Sequence, residues 1–233
     1  MIAVALIIYF KKKGRVNVSK PIVLDIFGDM ACFTRPECKV ERCTYPVPTP
    51  SAIRGILSAI YSKPVEFYWQ VRKIEVMKPI RYMNLMRNEV KCKVTDKSVL
   101  VEDERTQRNT VMLRDVYYRV TADMVKRESF KGTQEQLYQQ AINRISHGKC
   151  FFQPCLGTRE CVCYFSEPDY SMKPISDNLD IGLMLYDVFD LDKFEVEKKA
   201  NPMITLFNAK MRNGVIEVPD FHSDFVIRAK AGV

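Results

Sequence analysis

A tyrosine stands among positive charges in a proline-rich segment at residues 38–57. Tyr45 lies close in sequence to Lys39, Arg42 and Arg54, and prolines follow it at positions 46, 48 and 50. A phenol beside fixed cations is either held as a strong hydrogen-bond acceptor or pushed toward phenolate. Because proline fixes φ, the segment should be rigid. The pattern predicts a small acid–base site that needs neither a metal ion nor a histidine.

Other catalytic arrangements find little support in the sequence. It contains no Gly-x-Ser-x-Gly motif, phosphate-binding loop or dinucleotide fingerprint, and its only two histidines are His147 and His222. The acidic run at residues 102–104 could hold metal ions for phosphoryl chemistry, but its polar surroundings favour a solvated loop. We therefore expect no metal site, no cofactor and no small-molecule substrate.

The charge balance indicates a polyanionic partner. The 233 residues carry 36 Lys and Arg against 28 Asp and Glu, which gives a net charge of +8. Such a surplus suits nucleic acid, an anionic membrane surface, or simply a solvated basic surface. Of the two partners we favour nucleic acid. The length allows one large domain, or one domain with an appendage.

The eight cysteines indicate reduced thiols rather than a disulfide framework or a zinc site. No Cys-x-x-Cys pair occurs, and neither histidine stands at a ligand-like spacing from a pair of cysteines. Disulfides would require a secretory route. We expect mostly buried thiols in a cytoplasmic protein.

The first ten residues are apolar and are followed by three lysines. Ten residues are too few for a transmembrane helix, which needs about 20, and the charges follow the apolar run instead of preceding it as in a signal peptide. Residues 1–18 are therefore expected to be an N-terminal extension or an additional strand, and we prefer the extension. We expect no membrane partner.

The hydrophobic pattern predicts a mixed α+β fold. Thr49 and Pro50 are a good N-cap and first residue for a helix, and Thr133 with Gln136 forms a capping-box pattern before a second helix. The predicted strands are residues 21–27, ended by Gly28 and Asp29, and residues 67–79, 110–120 and 161–165; the predicted helices are residues 51–62 and 133–148. Residues 87–108 are polar and are expected to form a long loop or a mobile hairpin.

This order of elements is βαββαβ, as in ferredoxin-like and RNA-recognition (RRM-like) folds. Residues 181–189 and 202–218 add strands, and the second of these turns back at Asn213-Gly214, a strong hairpin signal. We therefore expect a ferredoxin-like domain at residues 19–166 and an antiparallel β-portion at residues 167–233, packed closely together.

Basic and aromatic residues recur along this fold. Tyr117 and Tyr118 follow Arg114 on the third predicted strand. Aromatic side chains on an exposed sheet face can stack on RNA bases while arginines hold phosphates. Simple alternation between core and surface explains the two tyrosines better.

Four segments resemble, in order, the fifth Cas protein family in its type I-C form, a group of CRISPR-associated RAMP proteins. They are ERCTYPVPTPSAIRGIL (residues 41–57), QRNT with LRDV (107–110 and 113–116), FFQPCLGTREC (151–161) and AKMRNGVIEVP (209–219). The resemblance extends over residues 20–221.

The resemblance implies a ferredoxin-like domain with a small β-domain, and a protein that cleaves precursor CRISPR RNA at the repeat hairpin without metal. It further implies that the protein keeps the 5′ handle of the mature CRISPR RNA and joins the backbone and large subunits in a type I-C Cascade complex. Tyr45 falls on the family's catalytic tyrosine, which would help the ribose 2′-hydroxyl attack the adjacent phosphate to give a 2′,3′-cyclic phosphate. Arg114 would stabilise the developing charge. The RNA-binding residues would be Lys39, Arg42, Arg54, Arg108, Arg159, Lys210 and Arg212.

The chain departs from the family at one point. Where the family has a Lys-His pair, this sequence reads Arg114-Asp115. Arginine can replace lysine as a phosphate clamp, but aspartate cannot replace a protonated histidine as an acid. His147 is expected to cap a helix or lie at the surface, and His222 to face solvent. Cleavage is therefore expected to be slow, to rely on another proton donor, or to be lost. The alternative is therefore a non-catalytic subunit that binds the RNA handle, and an RNA-binding protein unrelated to CRISPR is a weaker third hypothesis.

Overall fold

A single large sheet organises the molecule. The computed structural model describes residues 20–38, 40–91, 100–193 and 202–228, and ten strands among these residues join in this sheet. The elements follow one another along the chain as follows: β1 (Ile22–Ala31), β2 (Arg42–Cys43), α1 (Pro50–Ile60), β3 (Phe67–Val76), β4 (Tyr82–Val90), α2 (Val101–Glu104), β5 (Arg105–Lys126), α3 (Gln134–Ser146), β6 (Tyr164–Ser166), β7 (Leu179–Asp187), β8 (Thr205–Arg212), β9 (Val215–Glu217) and β10 (Ile227–Arg228).

All pairs of described strands are antiparallel except β2 with β5, and the main path through the sheet runs β10-β8-β9-β3-β5-β1-β6. β2 and β4 also pair with β5, and β7 pairs with β8. The prediction of a mixed α+β fold is therefore confirmed.

The core lies between the sheet and the helices α1 and α3. Ile22, Leu24 and Ile26 alternate along β1 and are fully buried, as the period of two in a strand requires. On α1 the residues Ile53, Ile56, Leu57 and Ile60 are buried on one side of the helix, and on α3 they are Leu137, Ala141 and Ile145. The opposite side is mostly exposed on α3, whereas on α1 it is half-buried except at Gly55, which is exposed.

The predicted helix caps are confirmed. The Thr49 hydroxyl accepts a hydrogen bond of 3.2 Å from the Ala52 N–H, and Pro50 opens α1. Thr133 and Gln136 form the complete capping box at the start of α3. α1 is thus fixed at its first turn, next to the segment that carries Tyr45.

Several strand boundaries differ from the prediction. β1 does not end at Gly28-Asp29 but continues to Ala31. Gly28 does not end the strand but allows the Val162 backbone to pack closely against it, since a Cβ at Gly28 would lie 2.6 Å from the carbonyl oxygen of Val162. The fourth strand is β6, which begins three residues later than predicted.

For the polar stretch at residues 87–108, the hairpin alternative is the correct one where the structure describes it. Arg87–Val90 of β4 pairs with 105–108 of β5. Most side chains of β4 are exposed or half-buried, so a polar composition suits this ribbon. The turn at Asn213-Gly214 is confirmed as well, with positive φ at both residues.

The C-terminal strands continue the same sheet, because β9 pairs with β3 at residues 73–75. The predicted extension at residues 1–18 lies outside the described residues. Among the residues the structure describes, no helix is both long enough and apolar enough to cross a membrane.

Candidate active site around Tyr45

The connection between β1 and α1 folds back on itself and fixes Tyr45. Thr34 and Thr44 form an antiparallel bridge, and the Tyr45 N–H donates to the Phe33 carbonyl at 2.8 Å. The Thr44 hydroxyl accepts from the Phe33 N–H at 2.9 Å and donates to the Tyr45 carbonyl at 2.8 Å. The prolines that follow restrict the backbone further. Tyr45 is consequently only 2% exposed.

Burial dominates the electrostatics of the Tyr45 phenol. Removal from water raises its pKa above the ordinary value of 10.0, while a hydrogen bond with the Leu185 backbone and the charge of Arg35 oppose the shift. The expectation that neighbouring cations push the phenol toward phenolate does not hold in this arrangement. Tyr45 is neutral at physiological pH.

Among the described residues, Arg35 is the cation that lies against the Tyr45 ring, and it was not predicted from the sequence. Its guanidinium lies 4.5 Å from the centre of the Tyr45 ring. The side chain is 31% exposed and pairs with Glu37 at 3.6 Å, a weak surface contact. Pro36 in the turn after Arg35 was the available signal, because a turn there returns the chain to residues 43–45.

The cations that the sequence placed beside Tyr45 have other partners. Arg54 binds Asp187 through two hydrogen bonds, one of them 3.0 Å from Nη2 to Oδ1. Arg42 reaches Glu160 at 3.5 Å. Lys39 lies outside the described residues.

Arg114 and Asp115 lie on β5 at the exposed surface. The Arg114 N–H donates to the Arg81 carbonyl at 3.0 Å, and among the described residues no hydrogen bond or ion pair joins its side chain to Tyr45. Asp115 has φ of +52° and accepts a 2.6 Å hydrogen bond from Lys78. That bond lowers the pKa of the Asp115 carboxyl below its usual value, so Asp115 is ionised and has no proton to donate at neutral pH.

An open groove, which we call the α1 groove, adjoins Tyr45. It has a volume of about 940 Å³ and lies between the exposed side of α1, at Ser51, Gly55 and Ser58, and the facing segment 152–159. Phe33 and Leu185, both hydrogen-bonded to Tyr45 through their backbones, line it as well.

The facing wall of the groove is held by a close backbone contact. Gly157 has φ of +92°, and a Cβ there would lie 2.0 Å from the Cys32 carbonyl oxygen. The Cys32 N–H also donates to the Leu156 carbonyl at 2.9 Å. Only glycine allows this approach.

The predicted RNA-binding residues fall in separate places. Arg54 and Arg159 line the α1 groove. Arg108 lies on the β4–β5 hairpin, 4.0 Å from Glu89. Lys210 and Arg212 are exposed on β8, where Lys210 pairs with Asp180 at 3.5 Å.

The two adjacent tyrosines of β5 point to opposite faces of the sheet. Tyr118 is in the core, where burial raises its pKa strongly. Tyr117 stacks on Phe27 with ring centres 5.2 Å apart. Alternation between core and surface, as predicted, therefore explains these two tyrosines.

The two histidines and the buried cysteines have surroundings typical of structural residues. The His147 ring lies 2.8 Å from the Asn143 carbonyl at the end of α3, and His222 lies 3.3 Å from Asp192. Burial raises the pKa of the Cys32, Cys161 and Cys163 thiols, which disfavours the reactive thiolate. In the described ranges no group of three or more His, Cys, Asp or Glu could hold a metal ion.

A family profile and two relatives match most of this chain, and all three are CRISPR-associated proteins. The profile of the family described as CRISPR-associated protein (Cas_Cas5) matches residues 21–219. A Thermus thermophilus protein named CRISPR pre-crRNA endoribonuclease Cas5d is 42% identical over 207 residues, which cover 83% of this chain and 89% of the relative. A Mannheimia succiniciproducens protein of the same name is 39% identical over 231 residues, covering 89% and 98%.

Solved structures share the fold at lower identity. A structure titled "Crystal Structure of CRISPR-associated Protein" superposes with a TM-score of 0.65 at 22% identity and covers 92% of this chain and all of its own. A functionally uncharacterized Streptococcus mutans protein, SMU1763c, gives a TM-score of 0.63 at 22% identity, covering 90% and 97%.

Proposed function

The chain belongs to the Cas5 family of CRISPR-associated proteins, and on that premise we propose that it is a metal-independent endoribonuclease that cleaves precursor CRISPR RNA at the repeat hairpin. It then stays bound to the 5′ handle of the mature RNA in a type I-C Cascade complex in the cytoplasm, together with backbone and large subunits. Its two relatives of about 40% identity are both named pre-crRNA endoribonucleases. It uses no cofactor and needs no membrane.

The observation that carries the proposal is the setting of Tyr45. A hydrogen-bonded connection holds this phenol beside the α1 groove, with the Arg35 guanidinium 4.5 Å from its ring. Arg35 is partly exposed and weakly paired, so its guanidinium is available to an incoming phosphate beside Tyr45. Arg114, exposed on β5, adds a second positive charge for the same phosphate.

The reaction needs only these groups and water. The ribose 2′ oxygen forms a bond to phosphorus while the bond from phosphorus to the 5′ oxygen breaks, which gives a 2′,3′-cyclic phosphate and a 5′-hydroxyl. The phenolate form of Tyr45 accepts the proton of the 2′-hydroxyl, and the leaving oxygen takes a proton from water. The hydroxide so formed restores the phenolate, while Arg35 and Arg114 stabilise the charge on phosphorus. Because its raised pKa makes the Tyr45 phenolate scarce at neutral pH, the cut is slow and accelerates as pH rises.

The RNA follows the basic residues of both parts of the chain. The proposed contacts are Lys39, Arg42, Arg54, Arg108, Arg159, Lys210 and Arg212. We assign residues 19–166 to a ferredoxin-like βαββαβ unit and residues 167–233 to the β-portion. The central strand order β3-β5-β1-β6, with α1 and α3 on one side, supports the first assignment.

A second candidate is a structural subunit that binds the RNA handle without cutting. Asp115 favours it, because the carboxylate paired with Lys78 cannot act as the acid that a histidine would supply.

Incubating the purified protein with its own repeat RNA in excess chelator separates these candidates. We expect one cut, a product ending in a 2′,3′-cyclic phosphate, and no cut in RNA that carries a single 2′-deoxyribose before the scissile phosphate. Binding of both RNAs without any cut would establish the structural subunit instead. Absence of RNA binding would contradict both candidates.

A further inference from the structure

We propose that the α1 groove binds a single-stranded segment of RNA, with the sugar–phosphate backbone along α1 and a base stacked on Phe152. The inference rests on the proposed function and adds to it the path of the RNA beside Tyr45. It also names two groove residues, Gly55 and Phe152, as determinants of RNA binding.

The exposed side of α1 is open to a close approach. Ser51, Gly55 and Ser58 lie there with small side chains, and a Cβ built at Gly55 would meet no atom within 4 Å. The buried side of the helix is fixed by Ile53, Ile56, Leu57 and Ile60. The helix is therefore anchored in the core on the side away from the groove.

The charges around the groove suit a polyanion. Its lining includes Arg54 and Arg159 and, among the residues described, no Asp or Glu. The two nearby carboxylates are both engaged by arginines: Asp187 by Arg54 and Glu160 by Arg42. Arg159 is exposed and has no ion pair within the described structure, so its positive charge is available to a phosphate.

The wall opposite α1 presents an exposed aromatic ring. Phe152 is 63% exposed and lines the groove. The neighbouring Phe151 is 57% exposed, but the Arg144 guanidinium lies 4.0 Å from the centre of its ring, and it is not part of the groove lining. A base stacked on an aromatic ring is a common means of holding single-stranded nucleic acid. The hydroxyls of Ser51 and Ser58 can meet phosphate or ribose oxygens across the groove.

The groove lies next to the candidate active site, although Tyr45 itself is not part of its lining. Phe33 and Leu185 line it, and each makes a backbone hydrogen bond with Tyr45. An RNA strand positioned for attack near Tyr45 would therefore enter the groove next. A helix of a partner protein could also use the small side chains of α1, but the basic, acid-free lining favours RNA.

Three substitutions at one residue distinguish charge from bulk. Gly55→Lys, Gly55→Gln and Gly55→Glu all place a long side chain in open space, so all three should fold. We expect affinity for labelled single-stranded repeat RNA, measured by fluorescence anisotropy, to fall in the order Lys, Gln, Glu, with Glu at least about tenfold weaker than Lys. The same three-way comparison at Gln139, exposed on α3, should change affinity far less.

Phe152→Ala tests the stacking surface independently. We expect RNA affinity to fall about tenfold, whereas Phe225→Ala, which removes a ring that is 78% exposed near β10, should leave it unchanged. The melting temperature of each variant verifies that it is folded.

The outcomes separate this inference from the proposed function. If the wild-type protein cuts and binds RNA while the Gly55 and Phe152 variants bind as tightly, the inference is wrong and the proposed function stands. If the three Gly55 variants bind RNA normally but all fail to join the other subunits, the groove holds a protein instead. If the wild-type protein neither cuts nor binds RNA, both are overturned.

Discussion

Arg35 is a charged neighbour of the candidate tyrosine that the sequence did not predict. The proline-rich run made Tyr45 a candidate, and its rigid setting is as expected. The nearest cations in sequence, however, are bound to Asp187 and Glu160. The contact with Arg35 depends on a backbone return between Thr34 and Thr44, ten residues apart, which side-chain types alone do not reveal.

We predict that Arg35→Ala slows cleavage of repeat RNA about 100-fold, which is the loss typical when one group that stabilises transition-state charge is removed. Single-turnover kinetics with saturating enzyme measures the cut separately from RNA binding. Arg35→Lys should recover part of the rate, since it keeps the charge but not the planar fork.

Glu37→Gln is the matched control, because it removes the partner of Arg35 and leaves the cation in place. Its cutting rate should not fall below that of the wild type, because loss of the Glu37 charge also relieves part of the rise in the pKa of Tyr45. An Arg35→Ala variant that is folded and cuts at the wild-type rate would exclude Arg35 from the reaction.

Among the elements, the helices were the best predicted and the connections the least. Caps such as Thr49 and Thr133 depend on neighbours three residues away, which the sequence shows directly. Gly28 was wrongly predicted to end a strand, because its role depends on Val162, more than a hundred residues later. The α1 groove could not be foreseen for the same reason, since its second wall is set by the contact between Gly157 and Cys32.

That contact leads to a prediction for the segment 152–159. Gly157→Ala should lower the free energy of unfolding, because φ of +92° is unfavourable for alanine and the new methyl group would strike the Cys32 carbonyl. Gly182→Ala is the control: φ there is +75°, but no atom lies within 4 Å.

We expect Gly182→Ala to cost about 1–2 kcal/mol from the backbone alone, and Gly157→Ala to cost clearly more. Urea unfolding of both variants measures the difference. Equal losses would mean that the close approach to Cys32 contributes nothing to stability.

For the whole molecule, the sequence predicted the α+β class, and the hairpin at Asn213-Gly214 was correct. It did not predict that β7 to β10 would extend the same sheet, since the pairing of β9 with β3 joins Glu75 to Val215, far apart in the chain. Alternating apolar residues indicate that a strand is half-buried, but not which strand it pairs with.

The same core makes stability sensitive to alkaline pH. Burial raises the pKa of Tyr68 to about 12 from 10.0 and that of the Cys163 thiol to about 12 from 9.0. Both groups keep their protons in the folded state at pH values where the unfolded chain loses them. Their contribution is therefore fully present below pH 9 and is lost as pH rises toward 12.

Calorimetry between pH 8 and pH 11 should consequently show a falling melting temperature. Cys163→Ser, which removes the thiol, should make the fall less steep from pH 9 upward. A melting temperature that stays constant over this range would contradict the proposed burial of these groups.

The central claim, that Tyr45 carries out the cut, is tested most directly by Tyr45→Phe. The variant keeps the ring under Arg35 and loses one buried hydrogen bond with the Leu185 backbone, a cost of about 1–3 kcal/mol, so it should still fold and bind repeat RNA within about twofold of the wild type. Under single-turnover conditions in excess chelator, we predict that cleavage falls by at least about 100-fold. Cleavage at the wild-type rate, at the same position, would show that Tyr45 is not the catalytic residue.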